Sequence, residues 1–157
     1  MVESEVVLFL DADTLLPKGF DEKIRNVLLR KGIVGGAFEM RFETPDFKLQ
    51  VLSILNSIRY RIWKTYYGDQ AIFCLRDQAH KVGGFPEALM EAAHFCRALS
   101  KSGRLVLIKE RVITSPRRFV ENGFWNVLWF DVRMWIRFVL NLDLKQHRSN
   151  YWKTNLQ

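Results

Sequence analysis

The stretch Val6-Val7-Leu8-Phe9-Leu10-Asp11-Ala12-Asp13 runs an unbroken apolar segment straight into two carboxylates separated by one alanine, with Thr14 and Pro17-Lys18-Gly19 close behind. A continuous apolar run of this length predicts a buried strand of a parallel sheet, with the acidic pair in the loop at its carboxyl end. In open α/β sheets, that end is where ligands bind. Two hard oxygen donors there suit a divalent cation set against a phosphate. The same pair could equally cap a following helix, and the stretch alone leaves both open.

Working outward, the chain alternates helix and strand patterns, so it belongs to the α/β class. Residues 17–30 have Phe20, Ile24, Val27 and Leu28 at helical spacing, acids at Asp21 and Glu22, bases at Arg30 and Lys31, and Gly32 as a stop. Residues 33–43 end in alternation, Phe38, Met40 and Phe42 against Glu39, Arg41 and Glu43, which predicts a half-buried strand. Gly35-Gly36 before it permits a close backbone approach or a bulge.

Residues 46–64 predict a long amphipathic helix. Val51, Ile54, Leu55, Ile58 and Ile62 form its apolar, inward stripe, while Lys48, Arg59, Arg61 and Lys64 make the polar side basic. Further elements are expected as a strand over 71–75, a brief helix over 76–82, a helix over 87–102, and strand pieces at 105–108 and 112–113.

The last long segment, 119–144, carries Trp125, Trp129 and Trp135 among aliphatics. Asp131, Arg133 and Arg137 interrupt it, so it is not a clean membrane span. On a helical wheel Asn122, Asn126, Arg133, Arg137 and Asn141 share one side. Such a helix suits either a bilayer interface or packing on the rest of the domain. The expected organisation is therefore a domain over 1–115 with a helical extension over 116–157.

The composition, 157 residues with 48% hydrophobic and 26% charged, is that of a globular protein able to bury a core. A formal net charge of +7 points to a polyanionic partner, of which nucleic acid, an anionic membrane surface and a nucleotide diphosphate are the candidates. The aromatics lie in apolar runs rather than among basic residues on a sheet face, which argues against nucleic acid. Cys74 and Cys96 have no CxxC neighbour or histidine at ligand spacing and are expected to be buried thiols. Met1 to Glu5 is too short and acidic for a signal peptide, so the expected location is cytoplasmic, with the inner membrane face as a peripheral site.

Several motifs occur in order: Phe9-Leu10-Asp11-Ala12-Asp13-Thr14, Leu16-Pro17-Lys18-Gly19-Phe20, Gly35-Gly36-Ala37-Phe38, Tyr67-Gly68-Asp69-Gln70, Gly83-Gly84-Phe85-Pro86, Leu89-Met90-Glu91 and Thr114-Ser115-Pro116-Arg117-Arg118. Together they resemble the second half of a family 2 glycosyltransferase of the Rossmann-like GT-A fold, in particular its small bacterial-type transferase 2 group. The resemblance implies a metal-assisted, inverting transfer of a sugar from a nucleotide-sugar to a hydroxyl acceptor, a lipid or a glycan.

By that resemblance Asp13 would hold Mg²⁺ or Mn²⁺ and Asp11 would face the nucleotide or sugar. Such an ion neutralises the charge that grows on a departing diphosphate. Arg117 and Arg118 match a basic motif that would clamp the same diphosphate. Asp69 and Gln70, beside Gly68, are candidates for hydrogen bonds to sugar or acceptor hydroxyls, with a simple turn at Gly68-Asp69 as the alternative.

Two features depart from the family pattern. Where the family has its Glu-Asp pair, with the aspartate as general base, this chain has Glu91-Ala92, and alanine cannot accept a proton. Glu91 is the nearest replacement, and His94, about one turn on, is the next. The family's first half, with the strands and loop that grip the nucleobase, has no counterpart before Met1. The expected consequences are an open edge at Val6 to Leu10 and a chain that is a truncated form, an inactive form, or one completed by a missing half or a second copy. A non-catalytic membrane-surface or partner-binding domain derived from the same fold is the competing function.

Overall fold

The computed structural model describes residues 4–142. It is a mixed α/β structure built on a five-stranded sheet of order β1-β4-β3-β5-β2. The elements are β1 (Val6–Phe9), β2 (Thr14–Leu15), α1 (Phe20–Leu28), β3 (Ile33–Phe42), α2 (Phe47–Trp63), a 3-10 turn (Gly68–Gln70), β4 (Ile72–Leu75), α3 (Arg76–Lys81), α4 (Glu91–Leu99), β5 (Arg104–Thr114), α5 (Arg117–Asn122) and α6 (Phe124–Val139). Two compact units are present among the described residues: 4–86 with 92–115, which contains the sheet, and 87–91 with 116–142, which contains α5 and α6.

β3 is the spine of the sheet. It pairs in parallel with β5 along almost its whole length, and antiparallel with β4 only at Gly35 and Gly36. Both glycines are needed because neighbours crowd β3 from two sides. A Cβ on Gly36 would stand 2.2 Å from the Val106 carbonyl oxygen, and one on Gly35 would stand 2.6 Å from that of Phe73. The glycine pair is thus a close backbone approach, and a register shift also falls between Ile33 and Gly35.

The expected half-exposure of β3 is corrected. Every residue of the strand except Arg41 is buried, Glu39 included. Glu39 is tolerated there because Arg61 of α2 pairs with one of its oxygens and Arg111 of β5 lies 3.6 Å from the other. The register shift between Phe38 and Glu39 takes up Lys109 and Glu110 on β5 and brings Arg111 opposite Glu39.

β1 departs from expectation in the opposite sense. It is an edge strand, antiparallel to β4 rather than inside a parallel sheet, and all of its residues are only half-buried. Leu10, expected to continue it, lies outside the strand and is 44% exposed. What anchors β1 is an aromatic cluster: the Phe9 ring lies 4.4 Å from Phe85 and 5.4 Å from Phe95, and Phe85 stacks on Phe95 at 4.4 Å. The Gly-Gly-Phe-Pro motif therefore fastens the end of β1 to α4.

Several boundaries move. α1 begins at Phe20 after Gly19, whose φ of 67° opens the helix, so Pro17 lies in the connection and not in the helix. The two expected strand pieces after residue 104 are one strand, β5. The expected helix over 87–102 contracts to α4, whose Ala92, Ala93, Phe95, Cys96 and Leu99 are buried. The long terminal helix is two, α5 and α6, because Gly123 between them has φ 79°. The stretch expected to continue that helix through residues 143–144 lies outside the described residues.

Cys74 and Cys96 are free and buried, as expected. Burial pushes their thiols up, to about 11 and about 12 respectively. Among the described residues no helix is long and apolar enough to cross a membrane.

α2 overturns the expectation most plainly. It is a helix over nearly the expected range, with Asp46 as its N-cap accepting from the Lys48 amide at 2.8 Å. Yet Leu49, Ser53 and Tyr60 form its buried face, and Ile54, Leu55, Ile58 and Ile62, expected inside, face solvent. The inward face is spent on Leu49 and Tyr60, with Ser53 between them.

Candidate functional site

The acidic loop connects the two edges of the sheet. β1 ends at Phe9 on one edge, and β2 begins at Thr14 on the other. Between them Asp11 to Thr14 form a turn closed by the Thr14 amide donating to the Asp11 carbonyl at 3.1 Å. Beyond the turn, the Thr14 hydroxyl meets the Thr114 hydroxyl at 3.2 Å in a buried contact, and the Ser115 amide donates to the Asp13 carbonyl at 3.3 Å. The backbone of the loop is thus pinned while the side chains of Asp11 and Asp13 are exposed.

The Gly-Asp-Gln turn comes to this loop. The Asp11 carboxylate packs so closely on Gly68 that a Cβ there would stand 2.7 Å from Oδ1 and 2.8 Å from Oδ2. Any side chain at residue 68 would push the carboxylate away. Asp11, Gly68 and Asp69, far apart in sequence, therefore share one locality.

Gln70 is placed differently from its expected role. It is fully buried; its Nε2 donates to the Phe38 carbonyl at 3.1 Å and its Oε1 accepts from the Tyr67 amide at 3.0 Å. The side chain stands in for a strand partner on β3 and holds the turn in shape. It is a brace for the site and not a hydroxyl ligand. Ala71, next in the chain, is completely buried with φ 49°, a left-handed conformation that costs about 1 kcal/mol for a residue with a Cβ.

A second side of the locality comes from α2. The Arg59 guanidinium lies 4.8 Å from the Tyr67 ring centre and 4.9 Å from that of Tyr60. Burial works against its charge, but Tyr60, Tyr67 and Asp69 together hold its pKa above the ordinary value. Tyr60 is raised well above the ordinary phenol, first by burial and then by the negative charge of Asp69. Asp69 is half-buried, and its Oδ1 is a buried atom. A fixed cation, two phenols and two carboxylates thus surround the turn.

Sequence reasoning placed Arg59 with the solvated bases of α2 and missed it. The wheel gives no signal for it: at about 100° per residue Arg59 falls beside the exposed Lys48 and Leu55, and its tyrosine partners are brought to it by the fold.

The remaining candidates are Glu91, His94, Arg117 and Arg118. Glu91 is exposed at the first turn of α4 and Ala92 after it is buried, so the residue at the family's aspartate position is a packing residue here. His94, one turn on, is half-buried. In the second unit Arg118 donates through Nη2 to Asp131 at 2.6 Å and lies 6.0 Å from the Phe130 ring centre, so its fork already holds a carboxylate of α6. Arg117 beside it is exposed.

Among the described residues no group of three histidine, cysteine or carboxylate side chains is arranged to hold a metal. The exposed carboxylate of Asp13 suits a different arrangement: Mg²⁺ is commonly held by one or two carboxylates, with substrate phosphates and waters completing its shell. An exposed carboxylate of this kind can share such an ion with a diphosphate. Comparison with protein-family models, with curated proteins and with solved structures returned no match.

Proposed function

We propose that this chain carries the donor side of a GT-A glycosyltransferase site and takes part in sugar transfer from a nucleotide-sugar to a hydroxyl acceptor. The observation that carries this reading is the packing of the Asp11 carboxylate on Gly68 of the Gly-Asp-Gln turn. It joins two polar motifs at the end of an apolar strand, where a charged, hydroxyl-rich ligand would meet carboxylates on a pinned backbone.

In this reading Asp13 holds Mg²⁺ or Mn²⁺, which when bound offsets the charge developing on the diphosphate leaving group. Asp11 and Asp69 accept hydrogen bonds from donor hydroxyls, and their fixed placement orients the sugar. Arg59, held between two tyrosine rings, sets a fixed positive charge beside Asp69. Glu91 takes the acceptor proton, the role that Ala92 cannot fill.

A binding domain that keeps the donor site without transfer is the second reading, favoured by the buried alanine at residue 92. One assay separates the two. The full chain, incubated with a panel of nucleotide-sugars, Mg²⁺ or Mn²⁺ and hydroxyl acceptors, is expected to release nucleoside diphosphate, and Asp13→Asn and Glu91→Gln are each expected to slow release by roughly a hundredfold. Diphosphate binding with no release from any pairing supports the binding domain. Release unchanged in Asp13→Asn removes the metal assignment.

A further inference from the structure

α2 is apolar on two opposite faces, and only one of them is used by the fold. Leu49, Ser53 and Tyr60 are buried, while Phe47 is 78% exposed, Ile54 56%, Leu55 57%, Ile58 52% and Ile62 62%. At 100° per residue these exposed side chains fall within an arc of about 100°, the width of an ordinary core-facing stripe, turned outward. Single exposed apolar residues need no explanation, but a contiguous stripe along a helix marks a contact surface.

The charges around the stripe select its occupant. From Phe47 to Lys64 the sequence contains no aspartate or glutamate, while it contains Lys48, Arg59, Arg61 and Lys64. On the wheel Lys48 borders one edge of the stripe and Arg61 the other, both with exposed side chains, and Lys64 closes its carboxyl end. Trp63, 47% exposed, lies at that same end. Apolar centre, basic borders, no acid and a terminal tryptophan are the attributes of a helix lying in the plane of an anionic lipid surface. A second copy would set these basic borders against one another, and each chain already carries a formal charge of +7.

We infer that the outer face of α2 is a docking surface for an anionic membrane, with Ile54, Ile58 and Ile62 entering the acyl boundary and Lys48 and Lys64 meeting lipid phosphates, while Arg61 stays paired with Glu39. The inference is independent of glycosyl transfer and stands whether or not the chain is an enzyme. It also differs from the expectation placed on the Trp-rich terminal helix. α6 exposes Trp125 and Trp129 but includes Asp131 within its length, and α2 has no such acid.

The test is sedimentation of the full chain with phosphatidylcholine vesicles that contain or lack phosphatidylglycerol. Binding is expected only to the anionic vesicles and is expected to fall steeply with added salt. Ile58→Asp, at an exposed position where folding is not at stake, is expected to weaken it roughly tenfold or more, with an unchanged far-ultraviolet spectrum. Trp129→Asp, on α6, is expected to have a much smaller effect. Failure to bind anionic vesicles at low salt overturns the inference, as does loss of binding in Trp129→Asp but not in Ile58→Asp. A concentration-dependent dimer that Ile58→Asp abolishes, without vesicle binding, assigns the face to a second copy instead.

Discussion

β1 and β3 exchange the roles that their sequences suggest. Val6 to Phe9 is uniformly apolar, yet it is a half-buried edge strand; Ile33 to Phe42 carries Glu39 and Arg41, yet it is the buried spine. Apolar content reports what a strand could bury, whereas its place in the sheet depends on pairing. β3 gains its centrality from Gly35 and Gly36, which let two neighbours close on it, and from Arg61 and Arg111, which neutralise its one buried acid. β1 has β4 on one side, and among the described residues no strand pairs with its other side. The edge position leaves the end of β1 free to carry an exposed acidic loop. The central position makes β3 the support from which Gln70 braces that loop's neighbour.

Core substitutions break this contrast most strongly. Phe38, fully buried on β3, is expected to cost about 3–5 kcal/mol on truncation to alanine, whereas Val7→Ala on β1 is expected to cost about 1 kcal/mol, both read from urea unfolding midpoints. Equal costs would mean that β1 is buried as its sequence suggests.

A smaller effect is expected at the brace. Gln70→Leu keeps the volume but leaves the Phe38 carbonyl and the Tyr67 amide without that partner, for about 2 kcal/mol, and it should loosen the turn beneath Asp69. A Gln70→Leu protein as stable as the parent would show that the turn is held by other contacts.

The smallest expected effect is a pH trend. Burial raises both thiols in the folded chain, so the unfolded chain gives up these protons first. Their contribution is therefore complete below the ordinary thiol pKa and is lost as pH rises from there towards about 11 for Cys74 and about 12 for Cys96. Between pH 8 and pH 9 the loss is about 1 kcal/mol, measurable as a falling thermal midpoint. The trend should vanish in the double variant Cys74→Ala, Cys96→Ala.

The parts of the molecule legible in the sequence were those governed by local chemistry. The acidic turn after an apolar strand and the buried thiols follow from neighbours along the chain. What sequence patterns did not reveal depends on partners distant in sequence. The outward stripe of α2 has the helical period of a core face, and only the sheet beneath it shows that the opposite face was used. Gln70 has the chemistry of a ligand, and its partner is Phe38, on another strand. Arg59 has the chemistry of a solvated base, and Tyr67 covers it. The site was legible as a set of motifs, while the assembly of Asp11, Gly68, Asp69 and Arg59 into one locality depended on how β1, α2 and the turn converge.

The most direct test of the central claim, that the exposed loop at the end of β1 is a site for a metal-bound diphosphate, is calorimetric titration of the full chain with nucleoside diphosphates in the presence and absence of Mn²⁺. Binding is predicted to require the metal and to weaken roughly tenfold or more, about 1.4 kcal/mol at the least, in Asp13→Asn, with Val7→Ala unaffected. Metal-independent binding, binding unchanged in Asp13→Asn, or no binding of any diphosphate would contradict it.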